Sequence, residues 1–224
     1  MMRIFGNNGA PGFGVRPFGI SGWTPLQLNP LIWLDAKDSS TVHSGASGVE
    51  KWDDKSGNGY IYEQTTESFR PAYDGSKLIF DDVDDYLRCA SIPNKYNFTE
   101  FVVGRHYAGG YNTFTGNGTN NSSTLASDSK EGLFIVSGVV LYSSLPSVDL
   151  NERIIVATYD NDIDKATLDI VVDGTHNVST GSYPSTNYSF GWSYIGTQAS
   201  GHFRTLYGHI REIIVFDRVL TDEE

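Results

Sequence analysis

Trp52-Asp53-Asp54-Lys55-Ser56-Gly57-Asn58-Gly59-Tyr60 reads as a tryptophan closing a strand-like run, two adjacent acids, and a Ser-Gly-Asn-Gly turn. Asp, Asn and Ser side chains accept hydrogen bonds from nearby backbone, and glycine tolerates left-handed conformations, so the chain turns sharply here. PLIWLDAKDSSTV (30–42) precedes the turn, and PAYDG (71–75) and LIFDDVDDYL (78–87) follow it. Short apolar runs punctuated by turn residues at this spacing predict a β-sandwich. No catalytic signature overlaps the stretch.

The same rhythm continues outward. TEFVVGRH, LFIVSGVVLYSS, RIIVATYD, TLDIVVDGT, SYIGTQ and IREIIVFDRV all read as strands. In TLDIVVDG, Leu168, Ile170 and Val172 share one face, and Asp173-Gly174 supplies a tight hairpin turn. No helical apolar stripe occurs, so no βαβ unit is expected. Residues 108–130, mostly Gly, Asn, Ser and Thr, read as one long exposed loop on a rim. The 224 residues, 39% hydrophobic and 13% aromatic, suffice for one sizeable core. The expected fold class is all-β: an antiparallel jelly-roll β-sandwich spanning residues 23–224.

Residues 1–22 stand apart as an extended arm. Six glycines and two prolines exclude a helix, yet Ile4, Phe5, Phe13, Val15, Phe18 and Ile20 are too apolar for a solvated tail. An arm lying on another surface accounts for both features; packing back on its own domain is the alternative. At the other end, Thr221-Asp222-Glu223-Glu224 fits a capping box opening a helix, which suggests a C-terminal helix cut short.

A net charge of −11 argues against nucleic acid and against anionic membrane surfaces. One cysteine, Cys89, excludes an internal disulfide framework, and its place in YLRCASI marks it as core packing. No stretch is apolar enough for a signal peptide or a membrane span.

These motifs together resemble the laminin-G-like, concanavalin A-type jelly-roll family. PLIWLDAKDSSTV is similar to its opening strand and turn, and the block around WDDKSGNGY to its second motif. LIFDDVDDYL resembles F-D-G-x-D-D-Y-L, with Asp82 where glycine is usual, and GHIREIIVFDRV resembles the closing strand. The resemblance implies the fold and a rim that often holds calcium. Function stays open, because the superfamily includes lectins, adhesion domains, hydrolases and phage structural proteins.

No cofactor is required by these motifs, and calcium is the candidate metal. Carboxylates gather at Asp35/Asp38, Asp53/Asp54, Asp81/Asp82/Asp84/Asp85 and Asp160/Asp162/Asp164. The expected ligands are Asp53, Asp54, Asp82 and Asp84; turn-forming acids are the competing reading. Asp160 to Asp164 starts like an EF-hand but has Lys165 at the sixth position and Val171 at the twelfth, which rejects that motif.

The expectation on catalysis is negative. The paired strand carboxylates of a jelly-roll glycosidase are missing, as are serine-hydrolase, zinc-protease and P-loop motifs. His202 and His209 read as surface imidazoles. For a glycan, Tyr107, Tyr111, Tyr188 and Trp192 are the candidate stacking rings, set among Gly, Ser and Asn; the alternative reading of Trp192 is core.

The expected role is a virion structural component, such as a head decoration, tail or fibre part. It would dock on other virion or surface proteins by its arm through Phe5, Phe13 and Phe18, as a homo-oligomer or in many copies. The alternatives are an extracellular or cell-surface lectin and a glycoside hydrolase of the same fold.

Overall fold

The computed structural model describes residues 22–90, 92–107, 112–118, 124–127, 131–136, 139–144, 152–182, 190–199, 204–221 and 223–224. Its strands are β1 (Ile32–Asp35), β2 (Val42–Gly45), β3 (Gly48–Asp53), β4 (Ile61–Glu63), β5 (Ala72–Tyr73), β6 (Leu78–Asp81), β7 (Leu87–Arg88), β8 (Phe98–His106), β9 (Asn112–Gly116), β10 (Thr124–Ser127), β11 (Glu131–Val136), β12 (Val139–Ser144), β13 (Arg153–Asp160), β14 (Lys165–Val172), β15 (Thr175–Ser182), β16 (Tyr194–Ile195) and β17 (Tyr207–Phe216).

They form two antiparallel sheets. The first runs β15-β14-β13-β8-β17-β6-β5, and the second β12-β11-β10-β9-β16-β7-β4-β3-β2. β17 is long enough to hold two neighbours on one side: Tyr207–Ile210 pairs with β6, and Glu212–Val215 with β1. The hairpin at Asp173-Gly174 has both residues left-handed, with φ of 48° and 78°. That is the backbone a two-residue turn needs to match strand twist.

Period-two alternation decides what enters the interior. On β8, Phe98, Glu100 and Val102 are buried between the sheets, while Phe101 and Val103 face outward. The second sheet answers with Trp52, Tyr62, Leu87, Phe114, Leu125 and Ile195. Phe98, Phe190, Tyr159 and Trp192 interlock at ring-centroid distances of 4.6, 4.9 and 5.3 Å. Burying each such side chain contributes about 1.5–3 kcal/mol. A smaller cluster of Trp33, Ile214, Phe216 and Leu220, joined by Leu28 and Phe101, covers part of the first sheet's outer face.

The opening motif ties strands together. Trp52 is fully buried. Asp54 accepts from the Trp33 N–H at 2.8 Å and the Ser56 N–H at 2.9 Å. Asn58 Nδ2 donates to the Leu31 carbonyl at 2.9 Å, and Ser56 Oγ to the same oxygen at 3.2 Å. The turn therefore fastens the end of β3 to the start of β1.

The reading of 108–130 as one rim loop needs correction. β9 and β10 lie inside it, because Phe114 and Leu125 plug into the core and bring their small, polar neighbours with them. Phe5, Phe13 and Phe18 of the arm lie outside the described residues. At the C-terminus, Glu224 reaches back to the Thr221 N–H at 3.1 Å and also pairs with Arg218 at 2.7 Å.

Candidate functional site

Other groups of the protein already engage two of the expected metal ligands, Asp53 and Asp54. Asp53 pairs with His43 at 2.6 Å, and Asp54 is committed to the Trp33 and Ser56 N–H groups. Asp82 occupies a left-handed position with φ of 72°, which explains why a glycine suits that place in the motif. Among the described residues, the group of acids whose oxygens converge within 4.8 Å is Asp81, Asp84 and Asp85. Of the four expected ligands only Asp84 belongs to it. The sequence fails to separate these acids because strand-end geometry, not spacing, decides which carboxylates face one another. Burial, with the charges of Asp81 and Asp84, pushes the Asp85 carboxyl up to about 7. Three convergent carboxylates suit a hard cation such as calcium, which takes oxygen ligands.

The expected sugar-stacking rings scatter. Trp192 is 3% exposed, packs edge-on against Phe98 and hydrogen-bonds Glu100, so it serves the core and not a surface. Its Gly and Ser neighbours suggested a loop, but the segment leading into β16 turns inward. Tyr107 is half-buried on the outer face of the first sheet, with its hydroxyl 2.9 Å from Nδ1 of His209. His209, expected at the surface, is 5% exposed. Tyr111 and Tyr188 lie outside the described residues.

The outer face of the second sheet carries a groove that the sequence reading missed. Its volume is about 450 Å³, and its lining includes Lys51, Ile61, Glu63, Tyr60, Tyr86 and Arg88. Strand register builds it. Lys51 stands opposite Glu63, Glu63 opposite Arg88, and Arg88 opposite Tyr194, so one row crosses β3, β4, β7 and β16 on a single face. At a strand spacing of about 4.8 Å the row extends about 14 Å. Tyr86, two residues before Arg88, rests against Phe69 at 6.1 Å and Tyr194 at 5.8 Å, and Arg88 lies 5.7 Å over the Tyr194 ring.

The row alternates donor, acceptor and donor: the Lys51 ammonium, the Glu63 carboxylate, the Arg88 guanidinium. Among the described residues, none of the three is held in an ion pair. Tyr60 and Tyr86, both half-buried, supply ring surface beside them, and Ile61 is 42% exposed. Polar heads beside aromatic surface in a shallow concavity are equipped to hold a hydroxyl-rich ring. No side chain signalled this in sequence, because Lys51, Glu63 and Arg88 sit on three separate strands.

No family model matches the chain, and no similar curated protein is found. Solved structures do resemble it. A Trypanosoma rangeli sialidase in complex with 2,3-difluoro-KDN shares 15% identity and a TM-score of 0.60 over 96% of this chain and 34% of that one. The chain thus spans about a third of the sialidase's length. A heptameric SAP-like pentraxin from Limulus polyphemus shares 14% identity and a TM-score of 0.51, over 69% of this chain and 76% of that one. The CBM40 module of a Ruminococcus gnavus sialidase, bound to sialyllactose, reaches a TM-score of 0.46 at 13% identity, over 58% and 80% of the two chains. At these identities the likenesses to the sialidase and the pentraxin speak to fold alone: the chain is an antiparallel jelly-roll β-sandwich.

Proposed function

We propose that this chain is a non-catalytic carbohydrate-binding domain whose ligand lies along the groove of the second sheet. The observation that carries this reading is the row Lys51–Glu63–Arg88, free of ion pairs among the described residues and flanked by Tyr60 and Tyr86. Lys51 and Arg88 donate to sugar hydroxyls and Glu63 accepts from them, while Tyr86 meets an apolar C–H face. The fold adds that a sandwich of this shape occurs within a sialidase. The test is a glycan array with the whole chain and with the Glu63→Ala/Arg88→Ala variant. Binding to a defined glycan by the parent and its loss in the variant support the reading. An array without hits overturns it.

A separate proposal concerns residues 1–22, and its support is their sequence alone. Glycine-broken, aromatic segments suit docking onto other virion or surface proteins. Deleting residues 1–22 is expected to abolish incorporation into a particle and to leave sugar binding intact; unchanged incorporation overturns it.

A further inference from the structure

The outer face of the first sheet, pointing away from the groove, holds an apolar band that the two clusters leave unexplained. Strand register lines up Trp33, Ile214, Phe101, Val156, Asp169 and Val178 on that face, from β1 across to β15. Leu28 and Leu220 pack against the Trp33 end, and that cluster reaches Phe101. Farther along, Val156 is 4% exposed, and Val171, which faces the same way, is 7% exposed. Neither joins either apolar cluster.

The far end of the band holds a carboxylate with an unmet need. Asp169 is 1% exposed, and its Oδ2 lies 2.5 Å from Nδ1 of His176. Its Oδ1 is buried without a hydrogen-bond partner among the described residues. A carboxylate oxygen taken from water without a donor is costly, so the position calls for one.

The N-terminal arm starts from the right place to meet both demands. The carbonyl of Gly22 accepts from Gln27 Nε2 at 2.9 Å, within the short turn Pro25–Leu28 whose Leu28 packs at the Trp33 end. Residues 1–21 carry Arg3 and Arg16 and no Asp or Glu. Pro17 biases Arg16 towards extended backbone, and in an extended run Arg16, Phe18 and Ile20 share one side. Such a run covers about 13 Å from Ile20 to Arg16, and the three strand spacings from Ile214 to Asp169 make about 14 Å.

We propose that residues 16–20 lie across the outer face of their own first sheet. Ile20 rests over Ile214 and Phe101, Phe18 over Val156, and the Arg16 guanidinium donates to Oδ1 of Asp169. Phe18 then belongs to its own domain, and Phe5 and Phe13 remain for the docking proposed above. This inference does not depend on the groove.

Thermal melts of the full chain test it with Phe18→Ser, Ile4→Ser, Arg16→Gln, Asp169→Asn and the Arg16→Gln/Asp169→Asn pair. Phe18→Ser is expected to lower the melting temperature by about 4–8 °C and to admit an apolar-surface dye, while Ile4→Ser changes neither. Arg16→Gln is expected to lower it in the parent and not in the Asp169→Asn background. Nuclear Overhauser contacts between the Phe18 ring and the Val156 methyls need no variant to fold, and are expected in protein that sediments as a monomer. An unchanged melt in Phe18→Ser, an equal fall in Ile4→Ser, an Arg16→Gln effect undiminished by Asp169→Asn, or no contact from Phe18 to Val156 overturns the proposal. The same contacts in a dimer that Phe18→Ser dissociates would give the face to a second copy's arm and overturn it too.

Discussion

The Thr115 hydroxyl on β9 donates a hydrogen bond of 2.7 Å to the Glu100 carboxylate on β8, across the interior that separates the sheets. The Trp192 indole donates to the same carboxylate, yet complete burial outweighs both bonds and pushes Glu100 up from the ordinary 4.5 to about 7. The folded state therefore holds its proton where the unfolded chain has lost it. Stability from this group is complete below pH 4.5 and is lost as pH rises through 7. The displacement, at about 1.4 kcal/mol per pH unit, is worth on the order of 3 kcal/mol. Chemical denaturation between pH 4.5 and 8 should show this decline, and Glu100→Gln should flatten it. An equally steep decline in the variant would assign it elsewhere.

Asp85 titrates in the same direction for a related reason, since burial and two neighbouring acids raise it to about 7. A calcium ion between Asp81, Asp84 and Asp85 would relieve that repulsion. Millimolar calcium is expected to raise the melting temperature at pH 7, chelator to reverse it, and Asp84→Ala to abolish the response. No shift with calcium removes the metal from this loop.

In the groove, Glu63→Ala and Arg88→Ala each delete one polar partner of a bound sugar without touching the core. Each is expected to weaken glycan binding by about 1–2 kcal/mol, with stability changed by less than about 0.5 kcal/mol. Paired calorimetric titrations and thermal melts separate the two effects; a fall in melting temperature matching the loss of binding would mark these side chains as structural.

Asp54→Ala leaves the N–H groups of Trp33 and Ser56 without their carboxylate. Half-buried donors so abandoned cost about 1–3 kcal/mol, measurable as a lower urea midpoint. Asp54→Asn should recover part of that loss. A melting curve unaltered in Asp54→Ala would show that water replaces the carboxylate.

Asp82 holds φ of 72°, and its backbone carbonyl accepts from the Thr205 hydroxyl at 2.9 Å, a bond that any residue there retains. Asp82→Gly relieves the left-handed strain and should raise stability by up to about 1 kcal/mol. A decrease on substitution would show that the Asp82 carboxylate itself matters.

Much of the sandwich was legible because short-range chemistry wrote it. The turn at Asp54 to Gly59 and the hairpin at Asp173-Gly174 declare themselves through residues whose conformational preferences are local. β9 and β10 do not, because only one residue in each, Phe114 and Leu125, enters the large core cluster, and their neighbours look like loop. Trp192 misled for the converse reason: small polar neighbours in sequence, an aromatic core in space. The groove was the least legible feature. Lys51, Glu63 and Arg88 are ordinary surface residues until strand register sets them side by side, and register is a long-range property.

The position of β17 bears on how the domain is made. It is the last strand of the sandwich to leave the ribosome, yet it lies between β8 on one side and β1 and β6 on the other. Until Phe216 has emerged, β1 has no ladder partner among the described strands and β8 presents a bare edge. Closure of the first sheet therefore waits until β17 has been made, and until then the open edge of β8 must be kept from pairing with other chains.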